Sequence, residues 1–446
     1  LGLAKTSHNF GFSLRSRLTV PARAHSGLKP HCFVTSVRGT ALRRLEPRAN
    51  RIAHRRLRTQ RREAYFVRRH SKNMKKCIYC RKNKEEDEFS LEHVIPQFLG
   101  GAYSTNQFKT REVCKTCNNN LGLFVDGLFA KNSIVFNNLS IMAKHYYNEN
   151  NPTPLPLNCM GICNLTVPGI SKDEICEMWL GPHGEQIYWI RLNDDNFYSY
   201  VGGNPLHTKK IESVAYFLFS ENSNKNQLLT WLTFKDAFDN TKVKKIMCTK
   251  VDGADPKDIG FSDPNTIDSE RIYFFLNLPK DDYRECQIKV YLDFDIRFLS
   301  KLAIGISYCL FGSKIFDHPY ADELHIGLWH RLGSKYPELL LTKLFSSEEQ
   351  DAYFKKITGL KSLVVIMLLK IDNKICINLN INRTLNWIIA ATDTSILNAA
   401  DLDKIGDGIV LILGKNLMKS VQCSLPEYIN HILKNIINTE IALLEN

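Results

Sequence analysis

The chain of 446 residues has no uninterrupted apolar run approaching the ~18 residues that a membrane span requires. The longest, LVVIMLL at 363–369, is of strand length. No apolar h-region of a secretory signal is present. These absences predict a soluble, intracellular and cytoplasmic protein with no membrane partner and with reduced cysteines. Acidic residues are scarce at one end: residues 1–73 hold 15 Arg, 3 Lys and 2 Glu, a charge of +16 in a chain whose total is +13, so residues 74–446 carry −3. The basic balance belongs to this tail, and a nucleic-acid binder with a uniformly basic surface is not implied for the rest.

Methionine is absent until Met74. Three readings of 1–73 stay open: upstream sequence translated ahead of a native start at Met74, an Arg- and Ser-rich transit peptide, and a disordered nucleic-acid arm typified by RRLRTQRR. The length predicts two or three domains. We expect a compact unit at 74–147, a strand-rich region of unknown function at 148–290 after the Pro-containing loop NENNPTPLPLN, and an α+β region of unknown function at 291–446. No internal repeat or low-complexity segment interrupts the last of these.

Local patterns predict individual elements. FSLEHVI reads as a short strand, a helix opens near Cys117, and the apolar spacing of LGLFVDGLFAKNSIVFNNLSIMAKHYY is helical with an interruption at Gly127. MWLGPHGEQIYWIRL, NFYSYVGGN and SVAYFLFSE read as strands around Gly turns. Phe298, Leu299, Leu302, Ile306 and Leu310 form a helical stripe. SLVVIMLLKIDNKICINLNI reads as two strands joined at Asp372 and Asn373, LNWIIAAT as a third, and LPEYINHILKNIINTEIALL as a closing helix.

Thirteen cysteines are present, and four have disciplined spacing: Cys77 with Cys80 and Cys114 with Cys117. Two Cys-x-x-Cys turns can enclose one tetrahedral Zn²⁺ and leave no open position, so the expected zinc is structural, replacing the core that a ~60-residue unit is too small to build. Between the knuckles stands SLEHVIPQFLGG, and directly after the second stand Asn118, Asn119 and Asn120. Pro96 biases Ile95 to an extended conformation, and Gly100 and Gly101 allow the chain to turn back.

CIYC, LEHVIPQFLGG and CKTCNNNLG, in this order over about 74–130, resemble the HNH endonuclease family, the zinc-braced ββα-metal nuclease fold. The fold class implied is α+β: a small zinc-stabilised ββα-metal (HNH) module followed by a larger mixed α+β region. The resemblance implies a metal-dependent endonuclease acting on nucleic acid, DNA in the first instance. His93 maps to the general base, Glu92 to the acidic ligand of a catalytic Mg²⁺ or Mn²⁺, Asn118 to the metal ligand at the helix start, and Asn106 to the middle Asn of the pattern.

Chemistry is consistent with that mapping. Hydrolysis of a phosphodiester requires a proton acceptor for the attacking water and stabilisation of charge on the leaving oxygen. An imidazole, which titrates near ~6.5, suits the first task, and carboxylate and amide oxygens suit a hard divalent ion. Neighbouring residues on a regular strand face opposite ways, so convergence of Glu92 and His93 requires the strand to end or bulge.

Plainer readings stand beside these. Asn118 also suits a helix N-cap. Cys159 and Cys163 lack a partner pair and read as core, His318, His325 and His330 as structural or surface residues, and the aromatics of EQIYWIRLNDDNFYSY as cross-strand core residues. KVKKIMCTK reads as a solvated edge. The competing function is a zinc-finger module that binds nucleic acid or protein without cutting. A third possibility places the main activity in the large C-terminal region.

Overall fold

The computed structural model describes residues 74–445 except 194–211, 240, 253–254, 280–283, 289–290, 332–333, 336, 343–353 and 355–356. The three readings of the basic tail, and the expected strand over NFYSYVGGN, lie outside the described residues.

Two short hairpins open the described chain. Strand β1 (Met74–Lys76) pairs with β2 (Asn83–Glu85) around the first knuckle, and β3 (Phe89–His93) pairs with β4 (Lys109–Cys114), both antiparallel. Helix α1 (Lys115–Leu121) starts just before the second cysteine of its knuckle and runs on through a π-helical turn, Gly122–Asp126, into a last turn ending at Ala130. The interruption expected at Gly127 does not occur, because Gly127 takes helical angles there. The break falls at Lys131 and Asn132, where the side-chain Oδ1 of Asn132 accepts the Ile134 amide at 3.3 Å and caps α2 (Ser133–His145).

The middle of the chain builds a six-stranded sheet in the order β10-β5-β6-β7-β8-β9. Its strands are β5 (Asn158–Cys163), β6 (Glu174–Leu180), β7 (Gln186–Leu192), β8 (Ser213–Leu218), β9 (Val243–Met247) and β10 (Cys286–Gln287). Only β8 and β9 run parallel, and the crossover between them carries helix α3 (Gln227–Phe238). Alternation along the strands sends Trp179, Trp189 and Phe217 to the face covered by α3, and Met178, Tyr188 and Tyr216 to the face covered by helix α4 (Thr266–Leu276). Tyr188 stacks on Phe275 of α4 with centroids 4.4 Å apart. Cys159 and Cys163 are core residues, as the sequence predicts. The KVKK segment forms the edge strand β9, with Val243 and Ile246 buried beneath the lysines.

The second six-stranded sheet is antiparallel throughout, in the order β11-β14-β13-β12-β15-β16. It comprises β11 (Leu340–Thr342), β12 (Val364–Ile371), β13 (Lys374–Ile381), β14 (Leu385–Asp393), β15 (Ile409–Gly414) and β16 (Lys419–Ser424). The β12–β13 hairpin closes at Asp372 and Asn373 as the sequence indicates, with Asp372 at φ 52°. Helix α5 (Asp293–Phe311) lies on one face of this sheet, followed by α6 (Tyr320–Leu328). The expected closing helix is two helices, α7 (Leu425–Ile432) and α8 (Thr439–Glu445), on the other face. The left-handed backbone of Lys434, φ 59°, separates them.

All five residues of the Phe298–Leu310 stripe are buried. The segment Asp293–Asp317 is long and apolar enough, by length and composition alone, to cross a membrane, although charged residues such as Arg297 and Lys301 interrupt its apolar run. Of its most apolar window, 72% is buried against the rest of the chain, the setting of a core helix.

One hydrophobic core joins residues from the first hairpins and α1–α2 with residues of α5 and the second large sheet. Phe129 stacks on Phe298 at 4.0 Å and meets Trp387 at 5.4 Å. The zinc-knuckle unit therefore does not rely on metal in place of a core; Tyr79, Val94, Leu99 and Phe108 are fully buried in the shared one. Polar contacts add to this: Arg81 pairs with Asp322 and the Ala321 carbonyl on α6, and the Trp329 indole donates to the Tyr79 carbonyl at 3.2 Å.

Candidate active site

The two knuckles converge. Every sulfur of Cys77, Cys80, Cys114 and Cys117 lies within 4.8 Å of every other. Tetrahedral thiolates at the usual Zn–S distance of ~2.3 Å stand roughly 3.8 Å apart, so the cluster needs only a slight contraction to hold the ion. The first turn is closed by the Arg81 amide on the Cys77 carbonyl at 2.8 Å, with Arg81 itself at φ 57°. The Cys114 amide donates to the Cys77 sulfur at 3.4 Å. A hydrogen bond from the Cys117 thiol, together with nearby backbone amides, pulls the Cys77 thiol down to about 4 against the opposing effect of burial. Cys117 is pushed up in turn, chiefly by its bond to Cys77. Burial raises the Cys80 thiol as well, so of these three Cys77 alone is favoured as thiolate, the form that binds zinc, and zinc binding would release protons from the others. Among the described residues no other cluster of His, Cys, Asp or Glu could hold a metal.

The segment between the knuckles positions the remaining candidates. After β3, Pro96 takes extended angles and its carbonyl accepts the amides of Leu99 and Gly101, both at 3.1 Å. Gly100 adopts φ 100°, and a Cβ on Gly101 would lie 1.7 Å from the Ile95 carbonyl oxygen, so the turn requires glycine at both positions. The chain then returns through Asn106–Phe108 to β4, where Lys109 stands opposite His93. Asn106 is exposed, and its side-chain oxygen accepts from Lys109 Nζ at 2.9 Å.

The irregularity needed near Glu92 and His93 is present, but in the other strand. Ser90 pairs with Val113 and Glu92 with Thr110, so three steps of β4 face two of β3, and β3 ends at His93. His93 is partly exposed, with Nδ1 buried and lacking a hydrogen-bond partner among the described residues.

Asn118 is not the N-cap of its helix; Cys114 occupies that position. Its amide NH₂ instead reaches across to β3, donating to Ser90 Oγ at 3.0 Å and to the Leu91 carbonyl at 2.9 Å. Helix α1 is thereby docked on the strand that carries His93. Both described bonds use the NH₂ end, so the carbonyl oxygen of Asn118 fits a hard divalent ion.

Glu92 has a different setting from the one its expected metal-binding role requires. It is buried, and its Oε1 lies 2.9 Å from Nζ of Lys301 on α5. The same ammonium lies 2.6 Å from Asp126 Oδ2, at the end of the π-helical turn, and 5.9 Å from the Tyr79 ring centroid. Burial raises the carboxyls of Glu92 and Asp126 against the pull of Lys301. Lys301 keeps its charge, since Asp126 and Glu92 outweigh the effect of burial. As placed, the Glu92 carboxylate has a lysine for its cation and does not fit a divalent ion. Among the described residues no hydrogen bond joins His93 to Glu92, Asn118 or Asn106. Lys301 and Asp126 escape pattern reading; the only signal is a lone charge inside an apolar helical stretch, FLSKLAIG in one case and LFVDGLF in the other.

A paired hairpin, a four-thiolate clamp and a helix docked on the hairpin define a zinc-knuckle ββα unit, the architecture of a nuclease module. Residues 77–134 match the family described as HNH endonuclease, and the chain carries such a module there. No curated protein and no solved structure matches the chain. Of the remaining histidines suggested as structural, His330 is buried and lies 2.7 Å from Asp293 Oδ1 through Nε2.

Proposed function

We propose that this protein is an endonuclease that hydrolyses phosphodiester bonds of DNA, with His93 as general base, Asn118 as a ligand of the divalent ion and Asn106 as a structural member of the loop before β4. The observation that carries the reading is the partly exposed His93 ring at the end of β3, next to a helix held against the same strand by Asn118. An imidazole with an edge open to solvent can take the proton of an attacking water. A divalent Mg²⁺ or Mn²⁺, when bound, supplies charge for the leaving oxygen; the residue whose free oxygen suits it is Asn118. The thiolate clamp holds the helix start, and the Asn118 bonds hold strand to helix, so the imidazole and the amide oxygen keep their spacing without help from substrate.

The burial of Glu92 favours a second reading, a zinc-braced module that binds nucleic acid or protein without cutting. Plasmid nicking in Mg²⁺ or Mn²⁺ separates the two: cleavage by the parent protein that is lost in His93→Ala, with zinc content retained, supports the nuclease. Equal nicking by parent and variant removes His93 from the reaction.

A further inference from the structure

Three elements meet at one buried ammonium. Glu92 precedes His93 on β3, and Asp126 lies on the helical continuation of α1, the helix that carries Asn118. Lys301 belongs to α5, whose partners in the core come from the second large sheet. Gly305 stands one turn after Lys301 on the same helix face. A Cβ at Gly305 would lie 2.6 Å from Val94 Cγ1 and 2.8 Å from Tyr79 Oη, so α5 approaches the module this closely only because position 305 is glycine. The close approach is what brings Nζ of Lys301 between the two carboxylates at 2.9 and 2.6 Å.

We infer that Lys301 is a positioning residue for the module's site: its ammonium clamps the strand of His93 to the helix of Asn118, and Glu92 acts through it rather than as a ligand of a divalent ion. This rests on the proposed nuclease reading for its effect on cutting, but the clamp itself can be observed without it. Charge at the bridge is supplied by α5, so the module's working geometry depends on a helix far away in sequence. Removing Lys301 alone leaves two carboxylates buried without a counter-charge, which threatens folding. Neutralising all three members together keeps shape and removes the clamp.

The test compares the parent with Glu92→Gln/Asp126→Asn/Lys301→Met, using histidine labelled with ¹³C in the ring; the His93 signal is identified by its loss in His93→Ala. Zinc content and the melting transition are checked first. The expected result is a displaced His93 signal and a single-turnover rate on supercoiled plasmid in Mn²⁺ at least tenfold lower, with KM within threefold of the parent. Lys301→Arg, which retains the charge, keeps the parental signal and at least a third of the rate.

An unmoved His93 signal in the folded triple variant overturns the inference whatever the rate, and so does a parental rate beside a moved signal. Should the triple variant not fold, Lys301→Arg decides. A melting profile like the parent's with a displaced signal and a tenfold lower rate overturns the inference, because charge would then not be what holds the site. A parent that cuts no plasmid, but whose His93 signal moves in the triple variant, leaves the clamp standing and removes the nuclease reading alone.

Discussion

Replacing Gly305 by alanine tests the contact between α5 and the knuckle unit through the sign of its effect. In the interior of an ordinary 19-residue helix the change gains about 1 kcal/mol, because glycine loses more backbone freedom on folding. Here the added Cβ meets Val94 Cγ1 at 2.6 Å, Tyr79 Oη at 2.8 Å and Val94 Cγ2 at 3.1 Å. Carbon–carbon contacts are most favourable at roughly 3.5–4.0 Å, so α5 or strand-end Val94 must give by about 1 Å. Val94 is short, branched and fully buried, and Tyr79 is also fully buried, so neither has room to swing aside. Overpacking of this kind costs about 1–3 kcal/mol, and the expected net result is a destabilisation of up to about 2 kcal/mol. Gly122 supplies the contrast: it has helical angles, and nothing lies within 4 Å of a Cβ built there, so Gly122→Ala gains up to about 1 kcal/mol. Urea unfolding midpoints of the two variants against the parent measure both. A more stable Gly305→Ala protein would refute the account of how α5 seats Lys301.

Further outcomes follow from individual contacts. Cys114→Ser is expected to lose the zinc and the ordered knuckles, with metal content read by elemental analysis and a chelator reproducing the effect on the parent. Lys301→Met alone is expected to cost on the order of 3–5 kcal/mol in urea unfolding, since it strands two buried carboxyls that the ammonium now holds; a cost below about 1 kcal/mol would contradict the ion pairs. Burial pushes the Asp295 carboxyl up to about 7, in spite of the Trp387 indole donating to it at 3.0 Å. The folded state therefore holds this proton more tightly than the unfolded chain, whose carboxyl titrates near ~3.9, so stability falls as pH rises from about 4 through about 7. Asp295→Asn should flatten that slope and raise the melting temperature at pH 8 more than at pH 5; equal shifts at both would exclude the carboxyl as the cause.

The long fusion of α5 with the module changes how a nuclease unit of this type is to be handled. Truncation after residue 147 would expose Val94, Phe108 and Phe129 to water and leave Glu92 and Asp126 without their cation. Within the described residues, then, the smallest piece expected to retain the site includes α5 and the sheet that supports it.

Sequence alone determined the features whose partners lie close along the chain. Thiol spacing announced the clamp, the Pro96 and Gly100–Gly101 turn was readable from backbone preference, the apolar stripe gave α5, and Asp372–Asn373 gave the β12–β13 hairpin. Each depends on a few neighbouring residues whose allowed angles or periodicity leave little choice. Tertiary structure decided where pairing is long-range: the irregularity falling in β4 rather than β3, Asn118 turning to Leu91 instead of capping its helix, and Glu92 meeting Lys301. A carboxylate in a strand carries no mark of which distant cation will neutralise it. That choice follows from which helix the shared core brings close, and from the missing side chain at Gly305 that lets it come.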